Sequence, residues 1–453
     1  MSRTTDTPPA LDLPDAPHEG DTKVVFRAIF LLAITVFIDL LGFGIVLPNL
    51  PAYIEATLPL PAGLSALLAY FPRLPAGGDE ALHGDGALLG GLLAASYSFT
   101  QFLFAPFWGA YSDRKGRRPV ILFSLLGIGA SYILFGLSNG HLWMLFAARL
   151  LAGLTSSASI GVAFAYVADV TTPANRAKGM GLLGACFGLG FAFGPVLGGI
   201  LGSINIALPA FAAAGLALAN FAVSWFILPE SLTPEKMAAL AGKARVAFPV
   251  MLKRVLSDPA APLFLVTFVL TLGFTAIEQA FGFFLMARGI ASPQNQQLRQ
   301  AYLLGAVGVV GIVLQGGLIG PLVKRFGEGN LIRAGLAVLT VGYVLLLAPR
   351  TWGIGIFVAT VFVGAGRSMI GPSATALISR KTRVEQGLIQ SSSQGFDALA
   401  RTVGPLLAGS LFASLGATAP YIFSAILTVL AFLLTFVLGS ALKTPDAEGT
   451  AER

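Results

Sequence analysis

Charge is scarce in this chain. Asp, Glu, Lys and Arg together supply 11% of its 453 residues, where a soluble domain uses roughly 25%. So few charges cannot cover the water-facing surface of a protein this long. Cysteine is almost missing. Cys186 is the single one, which excludes an internal disulfide framework and leaves a small packing residue. The three histidines, His18, His83 and His141, have no metal-ligand spacing, so no metal site is expected. No cofactor-binding loop stands out and no nucleophile is paired with a base, so neither a cofactor nor an enzymatic activity is expected. The start of the chain also lacks the basic and apolar stretches of a signal peptide. It carries Asp6, Asp12, Asp15, Glu19 and Asp21 instead.

What is abundant points one way. Apolar residues make up 55% of the chain and 54 positions are Gly, and small residues let helices pack closely in lipid. A helix needs about 20 apolar residues to cross the hydrocarbon of a bilayer. Twelve runs of that kind recur, from Phe26–Tyr53 to Thr418–Leu442, with polar or Pro/Gly breaks between them. The expected fold is an all-α membrane protein with twelve transmembrane helices in two pseudo-symmetric six-helix bundles. Residues 1–24 read as a disordered tail and 25–229 as the first bundle. The charged stretch 230–258, with Pro234 and Pro249, reads as a linker. Residues 259–442 then form the second bundle and 443–453 a second tail. The segment 56–85, rich in proline, reads as a loop.

Basic residues crowd alternate loops. Arg114, Lys115, Arg117 and Arg118 share one such loop, and Arg380, Lys381 and Arg383 another. The intervening loops hold only Arg73, Arg288, Arg299 and Arg350. This asymmetry predicts that the basic loops and both termini are cytoplasmic. It also accounts for the net charge of +7 through contact with lipid headgroups, so no nucleic-acid partner is expected.

Two segments recur at nearly one spacing. Gly109-Ala-Tyr-Ser-Asp-Arg-Lys-Gly116 reappears 211 residues on as Gly320-Pro-Leu-Val-Lys-Arg-Phe-Gly327, and Gly194-Pro195 reappears 210 on as Gly404-Pro405. Two unrelated pairs at nearly one offset mark a duplicated half. Paired halves with a site between them are a transporter architecture.

In the string Gly109-Ala-Tyr-Ser-Asp113-Arg114-Lys-Gly116-Arg117-Arg118-Pro119, Gly116 permits a tight turn and Pro119 suits a first helical turn. The whole string strongly resembles the major facilitator motif between helices two and three. The resemblance implies that Asp113 and its arginines form a cytoplasmic latch across the halves. Lys324 replaces Asp113 in the second copy, so the latch is expected to be one-sided. The fifth span holds Gly190-Phe-Ala-Phe-Gly194-Pro195-Val-Leu-Gly198-Gly199, where proline removes a backbone bond and glycines clear a packing face. It resembles the antiporter motif of drug:proton antiporters, which implies export. With Asp39-Leu-Leu-Gly42-Phe-Gly44 in the first span and Tyr97-Ser-Phe-Thr-Gln101 in the second, nearly the whole chain is similar to the twelve-helix antiporters that include tetracycline efflux pumps. The third span lacks the acidic residue of those pumps, which argues against tetracycline itself as substrate.

Charges inside spans are costly and default to function. Asp39, Arg149 and Glu278 are the candidate proton-coupling residues, with Arg149 expected beside Asp39. Asp39 and Glu278, 239 residues apart, occupy matching places once the longer loop 56–85 is allowed for. Arg367 and Asp397 are expected to form a structural ion pair between helices ten and eleven. Phe43, Gln101, Phe187, Gln279, Gln315 and Gln394 are the candidate lining of a substrate cavity. Together these residues predict a monomeric, proton-coupled exporter of small amphipathic molecules in the inner membrane of a bacterium. An importer of the same fold is the alternative, followed by a non-transporting sensor or scaffold.

Overall fold

The computed structural model describes residues 19–55, 79–241, 257–258, 260–381 and 386–437. Of the predicted tail 1–24, loop 56–85, linker 230–258 and second tail 443–453, residues 1–18, 56–78, 242–256, 259 and 443–453 lie outside the described residues, whereas residues 19–24 and 79–85 extend the first two spans as helix and Pro234–Ala241 in the linker is helical. Every described element is helical. Twelve helices are long and apolar enough to cross a membrane. They are α1 (Glu19–Val46), α2 (Asp79–Lys115), α3 (Arg117–Gly136), α4 (Leu142–Val170), α5 (Pro173–Ile204) and α6 (Leu208–Ile227), then α7 (Ala261–Ala287), α8 (Gln296–Phe326), α9 (Glu328–Leu346), α10 (Ile354–Lys381), α11 (Gln386–Leu415) and α12 (Ala419–Val437).

Two spans differ from the expected ones. The first predicted run, Phe26–Tyr53, is not one helix. It breaks at a 3₁₀ turn, Leu47–Asn49, before a short helix, Leu50–Glu55, because Pro48 lacks the amide that a continuing α-helix requires. α8 is interrupted by a π-helical turn over Leu314–Leu318, which contains Gly316 and Gly317. Neither glycine has a neighbouring atom within 4 Å of an added Cβ.

The halves meet along two antiparallel seams, α2 with α11 and α5 with α8. At the end away from the basic loops both seams are closed. A Cβ on Gly91 would strike the Pro405 carbonyl, one on Gly409 would sit 2.7 Å from Ala87 O, and one on Gly199 would strike Ala301 and Gln297 O. Gln296 Nε2 donates to Pro48 O at 3.2 Å across the same seal. At the basic end the seam between α5 and α8 is open. Gly181, Gly184 and Gly188 on α5, and Gly316, Gly317 and Gly320 on α8, meet nothing within 4 Å. Phe107, Tyr111 and Phe326 are exposed there. The α5–α8 seam is therefore closed at the far end and open at the basic end.

Candidate functional site

The duplicated string forms the corner at the basic end of α2 and α3. Gly116 adopts φ +98°, a conformation that L side chains rarely take. Arg117, buried at the start of α3, reaches Asp113 at 2.7 Å and Asp169 at the end of α4 at 3.0 Å. Glu230, just beyond α6, accepts from the backbone amides of Arg117 at 2.8 Å and Arg118 at 3.1 Å. A carboxylate on the free amides of a helix start is favourable. Ser231 Oγ donates to Asp169 at 3.2 Å, and Arg118 donates to the Trp225 carbonyl at 2.6 Å. Arg114 is exposed. Asp169, at the end of α4, is thus a member of this network. Glu230 was not singled out in the sequence at all, since its partners lie more than a hundred positions away.

The second copy repeats the corner with the sign reversed at three positions. At the offset of 211, Asp113, Arg117 and Asp169 become Lys324, Glu328 and Arg380. Gly327 matches Gly116, again with positive φ. Buried Glu328 pairs with Arg380 at 2.9 Å, the counterpart of the pair between Arg117 and Asp169. The two corners are thus structural equivalents in which the pair Arg117–Asp169 is replaced by Glu328–Arg380, while Arg114 and Arg325 keep the same sign.

At mid-depth the first half holds a polar cluster around Asp39. Ser159 Oγ donates to Asp39 Oδ2 at 2.6 Å and Ser156 Oγ at 3.0 Å. Tyr97 OH donates to Ser156 Oγ at 2.9 Å, and Gln101 Nε2 reaches the same oxygen at 3.3 Å. Phe43 lies against Tyr97 with ring centroids 5.5 Å apart. Ser156 stands midway along α4 and Tyr97 midway along α2, so the cluster occupies the middle of the bundle. The sequence named Asp39 as a proton-coupling residue and Phe43 and Gln101 as cavity lining, and the three meet here through Tyr97 and Ser156. The two serines escaped notice because hydroxyls in apolar helices are common and usually bond to their own backbone.

Arg149 does not join Asp39. Among the described residues it makes no ion pair. Its guanidinium lies 4.8 Å from the centre of the Phe135 ring, and its Nε is buried without a hydrogen-bond partner. The reason is depth: Arg149 precedes Ser156 by seven residues, about 10 Å along α4 at 1.5 Å per residue, and so sits nearer the far end.

The second half differs from its expected form in the same way. Arg367 lies over the Phe274 ring at 3.8 Å, and Asp397 accepts from Thr271 at 2.9 Å. No ion pair links Arg367 with Asp397 among the described residues. Thr271 and Phe274 are one turn apart on α7, so both side chains turn onto that helix and not onto each other. Glu278 is buried on α7 with Oε1 unpartnered, and Gln279 Oε1 next to it is unpartnered too. The nearest charges acting on Glu278 are those of Arg401 and Arg367. Gln315 is exposed within the π-helical turn. The side chains of Phe187 and Gln394 lie outside those the structure describes.

The fifth-span motif packs two ways. Gly190 and Gly194 press α5 onto α1, where added Cβ atoms would fall 2.6 Å from Phe37 O and 2.7 Å from Leu41 O. Gly198 meets Ile45 O in the same row, and Gly199 instead faces α8. Pro195 is buried against Gly44.

Comparison with known proteins agrees with this architecture. The chain is 33% identical over 399 residues to the class C tetracycline resistance protein of Escherichia coli, covering 86% of this chain and 91% of that protein. It is 28% identical over 414 residues to multidrug resistance protein 2 of Bacillus subtilis, covering 91% and 95%. The crystal structure of the human organic anion transporter MFSD10 (TETRAN) superposes with a TM-score of 0.65 at 24% identity, over 91% of this chain and 99% of that one. The family model of the Major Facilitator Superfamily matches residues 32–347 and, in a second match, 299–452. With twelve spans, two half-bundles and a duplicated corner between helices two and three, this multi-pass membrane transporter belongs to the Major Facilitator Superfamily.

Proposed function

We propose that the chain exports small amphipathic molecules in exchange for protons, opening alternately at its two ends. The observation that carries this reading is the placement of one buried carboxyl on the first helix of each half, Asp39 on α1 and Glu278 on α7. Both lie within spans of a molecule whose α5–α8 seam is closed at the far end and open at the basic end. A buried carboxyl in a span is expensive when charged, so proton binding can be tied to the conformation that exposes it. The two do not have equal surroundings. Asp39 receives two hydroxyl donors, whereas no donor reaches Glu278 Oε1. Glu278 is therefore proposed as the carboxyl that exchanges its proton more readily.

Phe43, Gln101, Gln279 and Gln315, with Phe187 and Gln394, are proposed to line the substrate path. The similarity to proteins named for tetracycline and multidrug resistance supports export. The basic end is proposed to be cytoplasmic, in a bacterial inner membrane, with the protein acting as a monomer.

The test uses purified protein in vesicles with an imposed pH gradient and a fluorescent amphipathic dye as probe. Wild type should move the dye against its gradient while protons run the other way. Glu278→Gln should still bind the dye yet lose gradient-driven movement. Dye movement that ignores the pH gradient would remove proton coupling, and unaltered coupling in Glu278→Gln would remove Glu278 from it.

A further inference from the structure

We propose that the first half holds one small monovalent anion, of the size and charge of chloride, between the guanidinium of Arg149 and the hydroxyl of Tyr53. The inference goes beyond the exporter reading and does not depend on it. Its carriers are two buried donors that share one aromatic neighbour and lack partners among the described residues, and the engagement of the carboxyls around them elsewhere.

The donors come first. Arg149 and Tyr53 are 6% and 3% exposed. Arg149 Nε and Tyr53 OH are both buried without a hydrogen-bond partner among the described residues. Both side chains pack on Phe135 of α3. The guanidinium lies 4.8 Å from the centre of that ring, and the Tyr53 ring meets it edge to face with centroids 4.7 Å apart. Tyr132, one turn earlier on α3, is buried as well. Its hydroxyl turns to α1, where a Cβ on Gly42 would fall 2.7 Å from it. Guanidinium N–H groups, phenol O–H groups and the positive edges of aromatic rings all favour an anion of low charge density.

The counter-charge comes second. A guanidinium inside a span is costly when nothing answers its charge, and one ring face offsets only part of that cost. Arg367 in the second half also lies over a ring, but the carboxyls of Glu278 and Asp397 act on its charge. Among the described residues no carboxyl acts on Arg149; the groups that do are the phenols of Tyr132 and Tyr97. Asp39 is held by Ser156 and Ser159, further along α4 toward the basic end. Glu55, two residues beyond Tyr53, faces His83 on α2 at 3.8 Å. Arg149, Tyr53, Tyr132 and Phe135 all belong to the first half and are all buried. Such a setting suits a small resident ion and not the body of an amphipathic substrate.

The experiment uses the purified full chain in detergent, with chloride replaced by gluconate at constant ionic strength. The thermal midpoint should rise with added chloride or bromide and then level off, as binding to the folded state requires. Gluconate, a much larger anion, should give no rise. Tyr53→Phe removes one donor and should weaken the halide affinity by about tenfold, as loss of a hydrogen bond to a charged group does. The same variant should keep its midpoint in gluconate. Arg149→Gln should abolish the halide-dependent rise, and Tyr53→Phe decides alone if Arg149→Gln does not fold. Crystals grown in bromide should show an anomalous peak beside Arg149 and Tyr53. Equal midpoints in chloride and gluconate, undiminished halide affinity in Tyr53→Phe, or bromide peaks only elsewhere would each overturn the site. None of these readouts involves transport, so their failure leaves the exporter reading standing.

Discussion

At the scale of the residue, the charges in the spans show that a shared depth does not make a pair. Arg367 and Asp397 sit on helices ten and eleven, and the cost of burying each charge suggested a mutual bond. Each instead found a partner on α7: a ring face for the arginine and a hydroxyl for the carboxylate. A double-mutant cycle of Arg367→Gln and Asp397→Asn should therefore give a coupling energy below about 1 kcal/mol, well under the roughly 3–5 kcal/mol lost when a buried direct pair is broken. Thermal unfolding of the purified single and double variants measures it, and a coupling of several times that size would restore the direct pair. Which residues carry charge inside the membrane was legible in the sequence, because a carboxylate or guanidinium in an apolar run is conspicuous. Who answers each charge was not. Ser156, Ser159, Thr271 and Phe274 are unremarked residues in a span until a neighbouring helix turns one face of them inward.

At the scale of the element, the glycines of α5 divide their labour by face. Gly190, Gly194 and Gly198 recur every fourth residue and seat α5 on the carbonyls of α1, while Gly199, one position on, meets α8. The spacing was readable as a packing surface, and the structure adds which surface is fixed and which one parts. The α1 contact lies within one half and should tolerate no added bulk. Gly198→Ala places a methyl against the backbone of Ile45, which cannot rotate away, so the variant should lose about 1–3 kcal/mol of stability. A thermal midpoint in detergent within a degree of wild type would contradict that contact. The break at Pro48 and the π-helical turn in α8 were less legible. The first hides in an unbroken apolar run, and the second depends on hydrogen bonds that slip by one residue without any change in composition.

At the scale of the whole molecule, the two ends are chemically unlike. The far seal is made of close-packed small residues and one amide bond to Pro48, while the basic end carries ionised corners. A cysteine at Lys115 and one at Arg350 should accordingly label from opposite faces of an intact cell with an impermeant thiol reagent, in a Cys186→Ser background. Lys115→Cys should react only when the cytoplasmic face is exposed. Reaction of both from the same face would refute twelve crossings between tails that share a side. The count of crossings and the duplication were legible from hydropathy and from the offset of 211. The state of the seams was not, since the same residues serve both the closed and the splayed arrangement.

The inverted corners bear on how such a molecule can come to exist. Each corner is matched only within itself: a carboxylate in place of the Arg117 guanidinium, as Glu328 has at the equivalent place, would meet Asp113 and Asp169 and find no partner there. Opposite signs at equivalent places are open only to two halves that have diverged. Joined in one polypeptide, as Lys324, Glu328 and Arg380 are with their counterparts here, the halves are always present in equal number and never meet a like-signed twin within the chain. Gene fusion thus protects a difference in sign as well as a shape, since residues exchanged singly between the halves would lose the partners that each corner keeps for itself.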